Sequence, residues 1–199
     1  MGVLPFFSVY SDCMQLFPPT VYIIFLSGLL YSIFFALNHF LFSWLDFSES
    51  ISWLFLPAGM RLLLTLIFSF NGALGISIAS MLISWFFFFK GDPITGIGAG
   101  ILSGLSPYLA RYLIFKNLQI SSRLDQLNGV KLLQCALIFS VTSPLLHQSW
   151  FFFRNHSQDF LNHLTVMIIG DLTGTLVVIY LLKFTIQFIK SQPTQPYKH

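Results

Sequence analysis

Charged residues are scarce in this sequence. Only 9% of its 199 residues are Asp, Glu, Lys or Arg, and 55% are hydrophobic. Soluble domains carry roughly 25% charged residues, so this chain cannot cover a water-facing surface. The composition therefore predicts an integral membrane protein with the lipid bilayer as its main partner. It excludes a soluble enzyme and a nucleic-acid-binding domain.

Cysteines and catalytic motifs are also nearly absent. Cys13 and Cys135 are the only two cysteines. One lies in the N-terminal segment and the other within a hydrophobic run, so no disulfide framework or metal pair is indicated. No nucleophile–base–acid set, carboxylate pair or phosphate-binding loop is present. We therefore expect neither enzymatic activity nor a bound metal or cofactor.

Basic residues are missing from the start of the chain, since Arg61 is the first Lys or Arg. A cleavable signal peptide has a positively charged beginning, so the first hydrophobic run is expected to stay in the membrane. Residues 1–17, interrupted by Pro5, are interpreted as an interfacial segment. Residues 18–190 are expected to form the transmembrane domain, and residues 191–199 a short cytoplasmic tail.

Long apolar runs dominate the rest of the sequence. A spanning helix needs roughly 20 mostly apolar residues, and six runs meet this length. The sequence thus predicts an all-α bundle of six transmembrane helices, in which the second and third form a tight hairpin at Asn71-Gly72. The six runs are Thr20–Trp44, Ile51–Phe70, Gly72–Phe89, Ile94–Phe115, Val130–Phe152 and Phe160–Ile189.

The few charged residues are distributed unequally between the two sides of this predicted bundle. Six spans place both termini on one side, and most Lys and Arg residues outside the runs lie there. The opposite loops hold only Lys90 and Arg154. Cytoplasmic loops are enriched in Lys and Arg, which predicts cytoplasmic termini in a multi-pass protein of the bacterial inner membrane. The residues on the predicted cytoplasmic side are Lys116, Arg123, Lys131, Lys190 and Lys198.

Two charges of opposite sign fall inside the runs. Arg61 lies about ten residues into the second run and Asp171 about eleven into the sixth. At 1.5 Å per residue, both lie roughly 15 Å below the outer surface. Charges within a membrane are costly and mark function or a pair. We expect an Arg61–Asp171 ion pair, which either takes part in function or only holds two helices together.

Two histidines lie in the outer parts of the predicted spans. His39 belongs to the first and His147 to the fifth. Together with Arg61 and Asp171 they could line a polar cavity that is open to the outside. The alternative is that each imidazole forms a hydrogen bond with a carbonyl of a neighbouring helix, as polar groups in membrane bundles often do.

Small residues recur every four positions in three spans, which predicts close helix packing within the chain or in a homo-oligomer. Pro57 is expected to kink the second span beside Arg61, because proline removes a backbone donor. The recurring small residues are Gly28, Ser32 and Ala36 in the first span, Gly96, Gly100 and Gly104 in the fourth, and Gly170 and Gly174 in the sixth.

Three short stretches resemble one known family. Trp53–Leu63 resembles the Pro-Ala-Gly stretch of the first type of bacterial membrane-associated sensor domain, and Gly72–Gly75 resembles the start of that domain's next helix. Gly170–Val178 is similar to its Asp-x-x-Gly-x-Leu signature. The resemblance implies a sensory input domain of the inner membrane. It also implies importance for Pro57, Gly59, Asp171 and Gly174.

The resemblance leaves the signalling output to another protein. No cyclase, phosphodiesterase or kinase domain follows Lys190, so we expect a separate membrane or cytoplasmic signalling partner. An alternative from another class is the substrate-binding subunit of an energy-coupling-factor transporter, which would use the Gly28, Ser32 and Ala36 face to contact its transport partner. A third alternative is a structural or assembly subunit.

Overall fold

The computed structural model describes residues 18–48, 50–118, 129–156 and 159–191. Within these residues the protein is a helical bundle with one small β-hairpin. The interfacial segment predicted for residues 1–17 and the tail from residue 192 onward lie outside the described residues. The five helices are α1 (Pro19–Phe42), α2 (Leu56–Ile83), α3 (Pro93–Leu118), α4 (Gly129–Phe153) and α5 (Phe160–Ser191).

Four of the helical stretches are long and apolar enough to cross a membrane, which is compatible with an integral membrane protein. Their outer surfaces carry large exposed hydrophobic side chains, such as Phe25 at 70% and Phe184 at 68% exposure, which suits contact with lipid. Helix α3 is as long, with 26 residues, but it is less apolar and is not one of these stretches. The four stretches are Pro19–Leu45, Leu56–Phe88, Gly129–Phe153 and Phe160–Thr185.

Helix α2 reverses its direction at Ser69. This residue has non-helical backbone angles, φ 54° and ψ −129°. Gly72 lies against the carbonyl of Leu64, and Leu64 shares a buried cluster with Ile76. In a straight helix, Leu64 and Gly72 would lie about 12 Å apart. The segments on either side of Ser69, α2a (residues 56–68) and α2b (residues 70–83), therefore pack side by side.

The six separate helices predicted from the sequence are not confirmed. The described residues form five helices, because the second and third predicted spans are joined within α2. Residues 84–88 continue α2b as a short π-helix. The chain reverses two residues before the predicted Asn71-Gly72 turn, and it does so through a serine with positive φ rather than through the glycine.

A β-hairpin precedes α2. Strand β1 (Asp46–Ser48) pairs with β2 (Ile51–Ser52), and Ser50 between them has a φ of 62°. The prediction that the second span begins at Ile51 is therefore wrong, because residues 51–55 are not helical and α2 begins at Leu56. An apolar run alone does not distinguish a strand from a helix.

Segment α2a lies in the centre of the bundle. Its residues Ala58, Leu62 and Leu66 are buried against α3 and α4, where Ile114 and Phe139 are also fully buried. We call the end of the bundle that carries the β-hairpin the hairpin end. The opposite end, where α1 begins and α5 finishes, is the terminal end.

The glycines of α3 form the contact with α2b. Added side-chain carbons would meet Trp85 at Gly96, Met81 at Gly100, and Ala73 and Ser77 at Gly104. Small residues at these positions let the two backbones approach closely, as is common in membrane bundles. The predicted close packing is thus present within one chain.

Only part of the small-residue face of α1 packs against another helix. Gly28 packs against the Gly75 carbonyl oxygen, 3.0 Å from the position of an added Cβ. The Ser32 hydroxyl donates a 2.9 Å hydrogen bond to the Gly28 carbonyl of its own helix, and Ala36 is exposed. Of these three predicted packing residues, Gly28 therefore supplies the close contact with another helix.

Replacing Gly104 with alanine is expected to destabilise the bundle by about 1–3 kcal/mol, because the added methyl group overlaps the Ala73 carbonyl and must push α3 away from α2b. Thermal unfolding of the purified protein in detergent measures the effect. Gly91→Ala is the matched control, since nothing lies within 4 Å of its added carbon. Equal unfolding temperatures for the two variants would contradict this packing.

Candidate functional site

Arg61 of α2a and Asp171 of α5 form the ion pair that the sequence predicted. One terminal guanidinium nitrogen of Arg61 lies 3.2 Å and 3.1 Å from the two carboxylate oxygens of Asp171. Their side chains are only 2% and 1% exposed. The two charges therefore compensate each other inside the bundle.

Arg61 and Asp171 do not lie equally far into their helices, contrary to the prediction. Arg61 lies five residues after the start of α2, whereas Asp171 lies eleven residues after the start of α5. The two side chains still meet, because the extended residues 51–55 carry the chain down along α5 before α2 begins. The backbone N–H of Phe55 donates a 3.1 Å hydrogen bond to the carbonyl of Gly170, next to Asp171.

Aromatic rings enclose the Arg61 guanidinium. The rings of Phe55 and Phe139 each lie with their centroids 5.4 Å from its central carbon, within the range of a cation–π interaction. The Nε atom of Arg61 has no hydrogen-bond partner among the described residues, and neither does the hydroxyl of Thr65 one turn later. These two buried polar atoms are therefore exceptions to the usual pairing of polar groups within a protein.

Three small residues bring α2a and α5 together. A side-chain carbon at Gly170 would overlap the Ser52 carbonyl, and one at Gly174 would overlap the Phe55 carbonyl. At Gly59 an added carbon would lie 2.6 Å from Cβ of Val178. Glycine is therefore required where the extended segment and α2a cross α5, and this approach places Arg61 beside Asp171.

Pro57 does not kink a helix. It lies in the first turn of α2, where its missing N–H removes no helical hydrogen bond. The expected kink is therefore wrong, because the second span starts later than the apolar run suggested. The first turn is instead capped from α1, where the side-chain oxygen of Asn38 accepts a 2.8 Å hydrogen bond from the Leu56 N–H.

A chain of buried polar side chains crosses the bundle beside this pair. The Tyr31 hydroxyl donates to Ser80 at 3.4 Å, and Ser80 donates to Ser103 at 2.8 Å. The Ser103 hydroxyl lies 3.3 Å from Nε2 of His147. This polar chain, from Tyr31 to His147, connects α1, α2b, α3 and α4.

The hydrogen bonds of His147 determine its tautomer. Its Nδ1 lies 2.9 Å from the Ser143 carbonyl oxygen, which can only accept a hydrogen bond, so Nδ1 carries the hydrogen. In the neutral imidazole, Nε2 is then an acceptor that faces Ser103. The sequence analysis missed Tyr31, Ser80 and Ser103, because isolated hydroxyls in apolar helices give no signal of which helices they join.

Two of the cavities at the hairpin end adjoin each other beside the ion pair, and a third, of about 220 Å³, lies next to them between the β-hairpin and His156. The inner cavity, of about 40 Å³, is lined by Arg61 and His147 together with Tyr31, Ser80 and Ser103. The outer cavity, of about 320 Å³, is lined by polar residues of α1 and the β-hairpin and by phenylalanines. Both cavities are also lined by Phe35, Ser50, Phe55 and Phe88.

The predicted polar cavity is therefore divided. His39 lines the outer cavity, where its ring lies 5.0 Å from that of Phe87, and His147 lines the inner one. Asp171 lies behind Arg61 and does not line either cavity. The inner volume suffices for on the order of three water molecules, whereas the outer volume suits a small ligand.

A second ionic cluster lies at the hairpin end. Asp92 caps the start of α3 by accepting hydrogen bonds from the backbone N–H and the hydroxyl of Thr95. One nitrogen of Arg154 lies 3.1 Å and 3.0 Å from the two Asp92 oxygens, and His156 lies 3.1 Å from one of them. The cluster ties α3 to the end of α4. The sequence placed Arg154 in a loop on this side but did not predict its pairing with Asp92.

The cluster lowers the pKa of Asp92 well below its usual value. The hydrogen bond from the Thr95 hydroxyl is the largest cause, and partial desolvation opposes it. The Thr95 backbone N–H, His156 and Arg154 lower this pKa further. The carboxylate is therefore ionised throughout the physiological range.

No known protein family, curated protein or solved structure matches this chain. The resemblance to the sensor domain thus stays a prediction. Within the described ranges, no group of three His, Cys, Asp or Glu side chains is arranged to hold a metal ion. The ion pair and the two cavities are therefore the features on which a functional proposal depends.

Removing one member of the buried pair is expected to destabilise the protein by about 3–5 kcal/mol, because the other charge is left buried without compensation. Arg61→Met and Asp171→Asn should both lower the folded yield and the apparent unfolding temperature in detergent. The double variant Arg61→Asp/Asp171→Arg should recover part of the loss. Lys90→Met, at an exposed position, is the control. Single variants as stable as the wild type would show that the pair is not needed.

Asp92→Asn is expected to lower the unfolding temperature by a few degrees at neutral pH, because the ion pair with Arg154 is lost. The pKa of Asp92 is lower in the folded protein than in the unfolded chain, so the ionised carboxylate stabilises the fold. This stabilisation is complete above the unfolded-state pKa of about 4 and is lost as the pH falls towards the folded-state pKa. The difference between wild type and variant should therefore shrink below about pH 4. Melting curves across this range measure it, with Asp159→Asn as the control. A pH-independent difference would contradict the assignment.

Proposed function

We propose that this protein is a multi-pass membrane protein that detects a small ligand at the hairpin end and signals through a separate partner. In this proposal the chain crosses the membrane six times. Helices α1, α3, α4 and α5 each cross once, α2a crosses together with the extended residues 51–55, and α2b crosses together with the π-helical residues 84–88. The described basic residues Lys116, Lys131 and Lys183 lie towards the terminal end. The positive-inside rule then places that end in the cytoplasm and opens the outer cavity to the outside.

The observation that carries this proposal is the link between the outer cavity and the buried ion pair. Phe55 lines both cavities, lies over the Arg61 guanidinium and donates its backbone N–H to Gly170 of α5. A ligand that displaces Phe55 therefore acts on both partners of the pair. Asn38 provides a second link, because it lines the outer cavity and caps α2.

Helix α5 is suited to carry such a change across the membrane. It has 32 residues, and Asp171 lies in its first half. A helix of this length extends about 48 Å, more than a typical hydrocarbon core. A shift of α5 at Asp171 would therefore move its end on the proposed cytoplasmic side, where a partner could respond. The resemblance to the bacterial sensor domain supports the same role.

The test is co-purification of the tagged full-length protein from its native membranes. A sensor is expected to bring down a kinase, cyclase or phosphodiesterase, and the partner's activity per amount of folded protein should change in Asp171→Asn but not in Asp159→Asn. An ATPase module, together with uptake activity, would instead support the substrate-binding transporter subunit. Recovery of neither class would count against both functions and favour a structural subunit.

A further inference from the structure

We propose that the outer cavity binds a small organic cation, such as a quaternary or primary ammonium compound. The juxtaposition of the Asp46 carboxylate with four phenylalanines around one open cavity carries this inference. It rests on the proposed function for its biological meaning, since it names the ligand class that the sensor would detect. Binding itself is measured independently of any signalling.

The charges around the cavity favour a positive ligand. With histidine neutral, Asp46 is the only charged side chain among the described residues that line it, and none of the described ion pairs includes Asp46. The nearest buried cation, Arg61 in the inner cavity, is neutralised by Asp171. An anionic ligand would therefore meet a net negative wall, whereas a cation would find an unpaired carboxylate.

The aromatic residues provide the second part of the recognition. Phe35, Phe55, Phe87 and Phe88 line the cavity, from α1, the start of α2 and the π-helical segment. Phe35 packs edge-to-face with both Phe87 and Phe88, at centroid distances of 5.8 Å and 5.7 Å. The negative faces of aromatic rings attract cations, and such rings form the cages that bind methylated ammonium groups. The cavity volume of about 320 Å³ accommodates an ion of this size.

The position of Asp46 suits it to select ligands at the entrance. Asp46 is exposed and lies in β1, opposite Ser52 of β2. The Ser52 hydroxyl lies within hydrogen-bond distance of the carbonyls of Leu45 and Leu54, at 3.3 Å and 3.1 Å, and so links the hairpin to the segment before α2. A cation bound to Asp46 would therefore bridge the hairpin and the phenylalanines below it.

The experiment compares choline with 3,3-dimethylbutan-1-ol, a neutral molecule of nearly the same shape, by calorimetric titration of the full-length protein in detergent micelles. Choline is expected to bind about tenfold more tightly, since the neutral analogue lacks both the carboxylate attraction and the cation–π interaction. Asp46→Asn should remove most of this difference and leave the binding of the neutral compound unchanged. Asp46→Glu should retain the difference in affinity between the two compounds, and Phe87→Leu should reduce this difference.

Asp159→Asn is the matched control, because Asp159 is an exposed carboxylate at the same end that bonds Asn162 and does not line the outer cavity. It should bind choline like the wild type. Equal affinity for the two compounds, undiminished choline binding by Asp46→Asn, or no binding of choline at millimolar concentrations would each overturn the inference. Choline binding without any signalling partner would support the inference while the proposed function fails.

Discussion

The rest of the bundle depends on the buried pair between Arg61 and Asp171. An ionised side chain without a partner costs several kcal/mol in a medium that excludes water, so neither residue is tolerated alone at its position. The pair contributes little net stability, because the same desolvation cost offsets its attraction. Its larger effect is on specificity, since any other register of α2a along α5 would separate the charges. The remaining helices pack around α2a, whose position on α5 the pair fixes.

This register is possible only because the backbones approach closely on both sides of the pair. Gly170 and Gly174 leave room for the extended segment before α2, and Gly59 leaves room for Val178. The same extended segment ends at Phe55, whose ring lies between the outer cavity and the Arg61 guanidinium. Packing and recognition therefore depend on the same few residues. A change in the position of Phe55 is not possible without a change in the environment of the ion pair.

The sequence predicted the pair but not the polar surroundings of the cavities. Two opposite charges are conspicuous in apolar runs, and their burial is costly enough to require pairing, so Arg61 and Asp171 could be matched across 110 positions. Ser80 and Ser103 could not, because a hydroxyl can bond its own helix and shows no preferred partner. The β-hairpin was missed since Ile51 continues an apolar run, and the start of α2 was placed too early for the same reason. Both errors concern the hairpin end, where the chain departs from helical periodicity.

The distribution of ionic contacts indicates which part of the bundle would move if the proposed ligand occupied the outer cavity. Helices α2 and α5 are joined by the buried pair, and α3 is joined to the end of α4 by Asp92 and Arg154. Within the described residues, α1 has no ionic contact. It is joined to α2 by apolar packing at Gly28 and Tyr31 and by the neutral hydrogen bonds of Tyr31 and Asn38. A neutral hydrogen bond contributes only about 1 kcal/mol and apolar packing is not directional, so α1 can slide along α2 without breaking an ion pair. Since α1 forms one wall of the outer cavity, a ligand there is expected to change the position of α1 relative to α2, and the cap that Asn38 provides to α2 transmits this change to Arg61.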